Sequence, residues 1–319
     1  MDKKLISFVI PCYRSEETIE QVIEEIRQVV AQRPDYDYEV VCVNDYSPDN
    51  VSEVLHRIAA QDSKIKLVEF AKNKGKYTAV MAGHRYATGD YIVDMDDDGQ
   101  SPMPELWKLL SPLINDECDF VSASYFVKKE SLFKRFGSWV NMKMVEFLMA
   151  PPKGFKIENF SAMKQFVSRE MTRYNNPYPY YDGLVLSVTH NVQMVLMDQR
   201  ERADDNGGGF TFSKSLKLWL DGFTAFSVKP LRVASVLGLI FAFVGFVYAI
   251  VLLIQHFLDP EMPMGYASIL DIMLVAFGMI MIMLGMLGEY VGRIYLSQNS
   301  TSQYTIKSTM NVEEKENKE

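Results

Sequence analysis

Short apolar runs alternate with helically spaced apolar residues along the first 125 positions of the chain. The runs that predict buried strands lie at 6–11, 38–43, 65–70 and 91–95. The segments whose spacing predicts helices lie at 16–30, 51–58 and 78–87. Strands joined by helices of this length form crossovers in a mostly parallel, doubly wound sheet. The pattern therefore predicts an α/β domain, which we extend to residues 1–210.

The pattern loosens after residue 125. Residues 184–197 are predicted to add a further strand, and basic residues mixed with apolar ones over 128–149 predict an amphipathic segment. Asp, Asn and Gly make 204–209 the most flexible polar stretch. Aromatic residues beside lysines over 212–226 are typical of a helix at a membrane interface, so 211–230 is assigned as a juxtamembrane segment.

Two long apolar segments, 231–257 and 267–289, dominate the last third of the chain. Each exceeds the ~20 residues that a helix needs to cross a bilayer, and neither has Lys or Arg in its interior. They predict two transmembrane helices and a tail over 290–319; two buried helices of a soluble protein are the alternative. The nearby basic residues lie away from the connector, at Lys214, Lys217, Lys229, Arg232, Arg293 and Lys307. The positive-inside rule then puts the α/β domain and the tail in the cytoplasm of a multi-pass inner (plasma) membrane protein.

Composition narrows the function classes. A formal net charge of -8 over 319 residues argues against a nucleic-acid-binding protein, because that role needs clustered Lys and Arg. The cysteines Cys12, Cys42 and Cys118 follow no ligand or disulfide spacing, which predicts buried free thiols in a reducing compartment. The apolar part of the N-terminus is too short for a secretory signal, and the charged residues 311–319 predict a disordered end.

An acidic loop, 94–100, follows the fourth predicted strand. Asp96 and Asp98 are spaced to reach one ion from this loop. Their hard carboxylate oxygens suit Mg²⁺ or Mn²⁺, which takes further oxygens from the phosphates of a ligand. A solvated acidic turn is the alternative.

The loops after the other three strands contribute to the same predicted site. Ligands of such sheets bind beyond the carboxyl ends of the strands, so loops 11–17, 44–49 and 71–76 should face one crevice with the acidic loop. Asp45, with Asn44, is predicted to hydrogen-bond the base or ribose of a nucleotide. A simple Asx-type turn that caps the next helix is the alternative.

The loop sequences resemble those of a known family. Segments 11–17, 44–47, 73–76 and 95–102 have the order and spacing of inverting glycosyltransferases of family 2, whose domain has the Rossmann-like GT-A fold. The C-terminal part, from Ser213 through Arg232 and the two apolar segments, is similar to polyisoprenyl-phosphate glycosyltransferases. These include bactoprenol glucosyltransferases and dolichol-phosphate mannose synthases. The resemblance spans residues 5–295.

This resemblance implies a role for each matching residue. Residues expected to line the nucleotide pocket are Pro11, Tyr13, Glu16 or Glu17, Asp45 and, near the base or diphosphate, Lys76. Residues expected at the reacting centre are Asp96 and Asp98, which hold the metal on the donor's diphosphate, and Gln100, which borders the sugar. Residues expected to meet the diphosphate or the lipid phosphate are Arg200, Arg202, Ser213 and Lys214.

Four departures from the family pattern qualify these expectations. Tyr46 stands in a turn that Gly normally makes, and Ser101 replaces a family carboxylate. Asn159 stands where Asp is common, and an insertion over 204–212 stretches the spacing around Arg202. Glu158 and Asp97 remain the candidates for a general base.

The sequence thus predicts a metal-dependent inverting hexosyltransferase with a GT-A domain followed by two transmembrane helices. It is expected to move a sugar from a nucleotide diphosphate, with a UDP-sugar favoured, to a polyprenyl phosphate such as undecaprenyl phosphate. The expected partners are these two substrates, Mg²⁺ or Mn²⁺, the bilayer and further copies of the chain. The alternatives are a processive polysaccharide synthase and a catalytically silent membrane scaffold of the same fold.

Overall fold

The computed structural model describes residues 3–125, 154–176, 179–198, 266–298 and 302–312, and individual residues between 236 and 254. Two compact units are present. The first comprises Met1–Phe210 together with Ser300–Glu319, and the second comprises Thr211–Asn299.

The described strands of the first unit form one sheet of eight strands in the order β7-β5-β6-β4-β1-β2-β3-β8. They are β1 (Lys4–Cys12), β2 (Tyr36–Asn44), β3 (Ile65–Phe70), β4 (Tyr91–Asp94), β5 (Phe120–Tyr125), β6 (Ser161–Lys164), β7 (Val192–Met197) and β8 (Ile306–Met310). The pairs β1–β2, β1–β4, β2–β3 and β5–β7 are parallel, whereas β6 and β8 run antiparallel to their neighbours. The mostly parallel α/β sheet is thereby confirmed.

Helices connect the parallel strands and cover the sheet. They are α1 (Ile19–Val30), α2 (Val51–Gln61), α3 (Lys76–Tyr86), α4 (Leu106–Ile114), α5 (Gln165–Met171) and α6 (Tyr181–Val188). The apolar stripe of α1 is buried, as its spacing predicts. Helix α3 has little amphipathic character and is buried over 78–84, where small residues allow it to lie close to β1 and β2. A Cβ on Gly83 would approach Val9 Cγ1 to 2.4 Å, so the contact requires glycine.

Two regions of the first unit differ from the sequence prediction. The segment 184–197 was expected to be one strand, but it is the end of helix α6 followed by β7. Residues 306–310, within the predicted tail, form edge strand β8 beside β3. The three cysteines are free and buried, as expected.

The second unit contains helix α7 (Tyr266–Gln298), and the described residues between 236 and 254 are helical as well. A Cβ on Gly238 would lie 3.2 Å from the Met283 side chain, so the first apolar segment lies against the second at this position. Within the part of the chain that the structure describes, no helix meets the length and apolarity required to cross a membrane.

Candidate functional site

The four strand-end loops are in mutual contact. Tyr13 N donates to Asp97 Oδ2 at 2.9 Å, which joins the loop after β1 to the acidic loop after β4. Arg14 N donates to Ser47 Oγ at 2.8 Å, which joins the loop after β1 to the one after β2. The carboxyl ends of parallel strands meet at one edge of a sheet, which explains this convergence. The predicted crevice is therefore present.

Asp45 fastens the loop after β2 to the loop after β3. Its two carboxylate oxygens accept hydrogen bonds from Lys74 N at 2.6 Å and Gly75 N at 2.7 Å, and it is only 3% exposed. Burial raises the pKa of Asp45, although the two N–H groups oppose this. Gly75 has φ +88°, a conformation that favours glycine. Asp45 therefore shapes the side of the crevice that is predicted to bind the nucleotide.

The turn after Asp45 is held by the loop after β1. Tyr46 has φ +54°, which confirms that a tyrosine takes the turn usually made by glycine. Its ring is 57% exposed. Glu16 N donates to Asp49 Oδ2 at 3.0 Å, and Asn50 N donates to Glu16 Oε2 at 2.8 Å. Glu16 thus acts in the contact between the two loops, whereas Glu17 is exposed and Pro11 is buried in β1.

Asp96 lies where three segments of the chain meet. The Lys76 ammonium, from the first residue of α3, is paired with Asp96 Oδ1. Asn159 Nδ2 donates to Asp96 Oδ2 at 2.6 Å from just before β6. Asp98 Oδ1 accepts a hydrogen bond from Gln100 N at 3.0 Å within the acidic loop. Asn159 was noted in the sequence only as a departure from the family pattern, and its position before β6 gives it this contact.

Asp97 joins the acidic loop to the loop after β1 and to the start of α1. Besides the bond from Tyr13 N, its main-chain carbonyl accepts a hydrogen bond from Thr18 Oγ1 at 2.6 Å. Burial, assisted by the charge of Asp96, raises the pKa of Asp97 to about 6. Its carboxylate therefore connects the acidic loop to the loop after β1.

A pocket adjoins Asp96 on the side of β6. Tyr77, Glu158, Asn159, Tyr181 and Asp182 are among the side chains that line it. Burial raises the pKa of Glu158, and burial together with the charge of Glu158 raises the pKa of Asp182 to about 7. The pocket therefore brings a second carboxyl group, Asp182, next to the predicted base candidate. No local pattern in the sequence marks Asp182.

A buried polar network lies beneath the acidic loop. His84 Nε2 lies 2.9 Å from Asp94 Oδ1, and His84 Nδ1 lies 2.7 Å from Ser168 Oγ. Tyr181 donates a hydrogen bond to Asp94 Oδ2. No role was predicted for His84, because helix α3 has little amphipathic character to mark its buried positions. The network fixes the end of β4, two residues before Asp96.

Gln100 is partly exposed at the end of the acidic loop. The predicted phosphate-binding residues Arg200, Arg202, Ser213 and Lys214 lie outside the described residues.

The carboxylates of Asp96 and Asp98 suit a divalent cation whose other ligands come from water and substrate. No group of three or more His, Cys, Asp or Glu side chains suited to a metal ion occurs among the described residues. Mg²⁺ commonly takes only one or two protein carboxylates and obtains its other oxygens from waters and phosphates. Asp96 already binds one cation, the Lys76 ammonium. The two carboxylates therefore suit the metal that the sequence predicts.

Comparison with known proteins identifies similar chains and a shared fold. Residues 7–173 match the family described as glycosyl transferase family 2, and residues 229–294 match the GtrB C-terminal hairpin. An uncharacterized glycosyltransferase of Bacillus subtilis (strain 168), YkcC, is 31% identical over 97% of this chain and 95% of its own. A bactoprenol glucosyl transferase of Shigella phage SfX is 29% identical over 95% of this chain and 99% of its own.

A solved structure shares the fold of the first unit. Glucosyl-3-phosphoglycerate synthase from Mycobacterium tuberculosis, in complex with Mn²⁺, uridine-diphosphate-glucose and phosphoglyceric acid, matches with a TM-score of 0.52 and 18% identity. The match covers 69% of this chain and 78% of that chain. At this identity it shows the fold alone, which is the predicted GT-A-like arrangement.

Proposed function

The chain belongs to glycosyl transferase family 2, and we propose that it transfers a sugar from a UDP-sugar to a polyprenyl phosphate, such as undecaprenyl phosphate. The observation that carries the proposal is the position of Asp96. It stands at the carboxyl end of β4, in contact with Lys76 and beside the nucleotide-side loops. A carboxylate at this point is suited to hold the diphosphate of a donor through a cation.

The donor side is built from main-chain contacts. Asp45 and Asp97 hold four loops together in two pairs, so the crevice is organised before a nucleotide enters. Such preorganisation lowers the cost of aligning the reacting groups. Lys76 supplies a positive charge near the diphosphate. A divalent cation held by Asp96 and Asp98, Mg²⁺ or Mn²⁺, would neutralise charge on the departing diphosphate.

A phosphate acceptor suits the acid groups beside Asp96. A phosphate monoester has a second pKa near 6, so it is already mostly a dianion at neutral pH and needs little help from a base. Burial raises the pKa of Glu158, and no separate His lies in the pocket lining among the described residues. A hydroxyl acceptor would depend on Glu158 as the base. The matches to bactoprenol glucosyl transferase and to the GtrB hairpin support the lipid phosphate.

We further propose that the two apolar segments cross the membrane as a hairpin, with the first unit in the cytoplasm. Large apolar side chains are exposed along both segments, including Phe243, Phe246, Phe277 and Ile282. The chain returns after α7 to add β8 to the sheet of the first unit, so it crosses an even number of times. The basic residues flanking the segments favour the inner face of the plasma membrane.

A transfer assay tests the proposal. Purified full-length protein in detergent would be incubated with Mg²⁺ or Mn²⁺, undecaprenyl phosphate and a panel of radiolabelled UDP- and GDP-sugars. Label in the lipid phase with one donor is expected and would also identify the sugar. Label in a long polysaccharide would favour a processive synthase. Nucleotide binding with no transfer from any donor would favour the silent scaffold. Retention of the chain in membranes washed with alkaline carbonate would test the hairpin.

A further inference from the structure

The end of the chain is docked on the edge of the sheet by both apolar and polar contacts. Tyr304 stacks on Phe70 with ring centroids 4.8 Å apart, and Ala71 N donates to Thr305 O at 2.9 Å. Asn311 Nδ2 donates to Ala59 O at 2.6 Å, next to the end of β8. Strand β8 is therefore held at both ends, immediately beside the strand that leads into loop 71–76.

One buried carboxylate connects this strand to the rest of the domain. Glu69 is 5% exposed in β3, and its Oε2 accepts a hydrogen bond from Ser308 Oγ at 2.6 Å. Its Oε1 accepts from Asn44 Nδ2 at 3.0 Å and from Ser52 Oγ at 2.5 Å. His56 Nε2 lies 3.7 Å from Oε2. Burial would raise the pKa of Glu69, but the bonds from Ser308, Ser52 and Asn44 outweigh it and leave that pKa below its ordinary value.

The same contacts continue into the nucleotide side of the crevice. Asn44 Oδ1 accepts a hydrogen bond from Ser47 N at 3.0 Å, and Ser47 Oγ accepts one from Arg14 N at 2.8 Å. Asn44 thus has its amide directed at Glu69 and its carbonyl at the turn that follows Asp45. Through Glu69, the position of this turn depends on a hydroxyl that comes from 239 residues further along the chain.

We propose that Ser308 and Glu69 are positioning residues for the nucleotide-binding turn 44–49, so that strand β8 sets the affinity for the donor. The inference rests on the proposed nucleotide-sugar transfer. Without the Ser308 hydroxyl, Glu69 loses the donor to Oε2 and can shift away from Asn44. The turn is then less well ordered before binding, and the nucleotide must order it. Chemistry at Asp96 is unaffected, because no contact of Asp96 is changed.

The expected effect is on binding alone. Ser308→Ala should raise the Kd for UDP and the KM for the donor roughly three- to tenfold, about the net contribution of one typical hydrogen bond, with kcat unchanged. Ser308→Thr keeps the hydroxyl and should restore both values. Glu69→Gln should weaken binding as Ser308→Ala does. Thr309→Ala is the matched control, because Thr309 is the next residue of the same strand and is exposed.

The experiment compares these full-length variants by titration calorimetry with UDP, by steady-state kinetics and by thermal unfolding. A lower Tm for Ser308→Ala with unchanged Kd would show a structural role only and overturn the inference. An equal rise in Kd for Thr309→Ala would overturn it as well. If wild-type protein binds UDP and Ser308→Ala binds equally well, the inference alone fails. If wild-type protein binds no nucleotide, the proposed function and the inference fail together.

Discussion

Replacing Asp96 by Asn separates stability from activity at the acidic loop. The side chains of Asp96 and Lys76 are 21% and 37% exposed, so their ion pair is a partly solvated one. Such pairs contribute about 0–1 kcal/mol. Asparagine has nearly the same shape, and its carbonyl oxygen can still accept a hydrogen bond from Asn159 Nδ2. The unfolding free energy should therefore fall by no more than about 1 kcal/mol, a Tm change of about 2–4 °C for a domain of this size.

Activity should respond far more strongly. The substitution removes one of the two carboxylates that fit a divalent cation on the donor's diphosphate. Loss of one group that stabilises charge in a transition state typically costs about 10²–10³ in kcat. The assay is transfer of label to undecaprenyl phosphate over a range of Mn²⁺ concentrations, with Tm measured on the same samples. Turnover within tenfold of wild type at every Mn²⁺ concentration would refute the assignment of Asp96.

Asp116→Asn provides a matched control for this experiment. Asp116 is also paired with a lysine, Lys164, but its side chain is 86% exposed and it follows α4, in no contact with the four strand-end loops. Its substitution removes the same charge from the chain and should leave both Tm and turnover close to wild type. A similar loss of activity in this variant would show that net charge, and not the position of Asp96, is responsible.

Three further predictions concern buried groups. Asp45→Asn turns an amide NH2 toward Lys74 N or Gly75 N and so removes one of the two hydrogen bonds that Asp45 accepts. The unfolding free energy, measured by urea unfolding, should fall by about 2 kcal/mol, and the donor KM should rise. Unchanged values would contradict the role of Asp45 in joining the two loops. His84→Ala leaves Asp94 with Tyr181 as its remaining side-chain partner and should lower the unfolding free energy by about 2–4 kcal/mol in the same measurement. Replacing the exposed His190 by Ala should leave the unfolding free energy unchanged. Burial raises the pKa of Asp182 from its ordinary 3.8 to about 7 in the folded protein, so the folded state binds the proton more tightly. The stability from this group is therefore lost as the pH rises from about 4 to 7. Asp182→Asn should flatten that part of the pH–stability curve, and an unaltered slope would exclude Asp182 as its source.

The first half of the fold was predictable because its signals are local. Strands β1 to β4 are short apolar runs between helices with clear apolar stripes, and the observed bounds differ from the predicted ones by a few residues. Segment 181–188 was harder, since Leu184, Val185 and Leu186 are apolar in succession and fit a strand as well as a short buried helix. Strand β8 contains five residues at a sheet edge, and its pairing with β3 has no signal near it in the sequence.

The same distinction applies to the candidate site. Residues of the nucleotide side follow parallel strands, so a rule about strand ends was sufficient to place Asp45, Lys76 and Asp96 in one crevice. Asn159 and Asp182 come from segments that follow β5, and antiparallel strand β6 brings the first of them to β4. Antiparallel pairing of distant segments depends on tertiary packing that a single sequence does not display. Asp182 was therefore missed, and Asn159 was noted without its contact to Asp96.

Asp96 is the point at which these two parts of the site meet. One of its oxygens is paired with Lys76, which belongs to the parallel part, and the other accepts a hydrogen bond from Asn159, which belongs to the later part. Both parts of the site therefore contact the same carboxylate, although they are built from segments more than 60 residues apart in the chain. Because Asn159 is neutral, Lys76 supplies the only positive charge among the described contacts of Asp96.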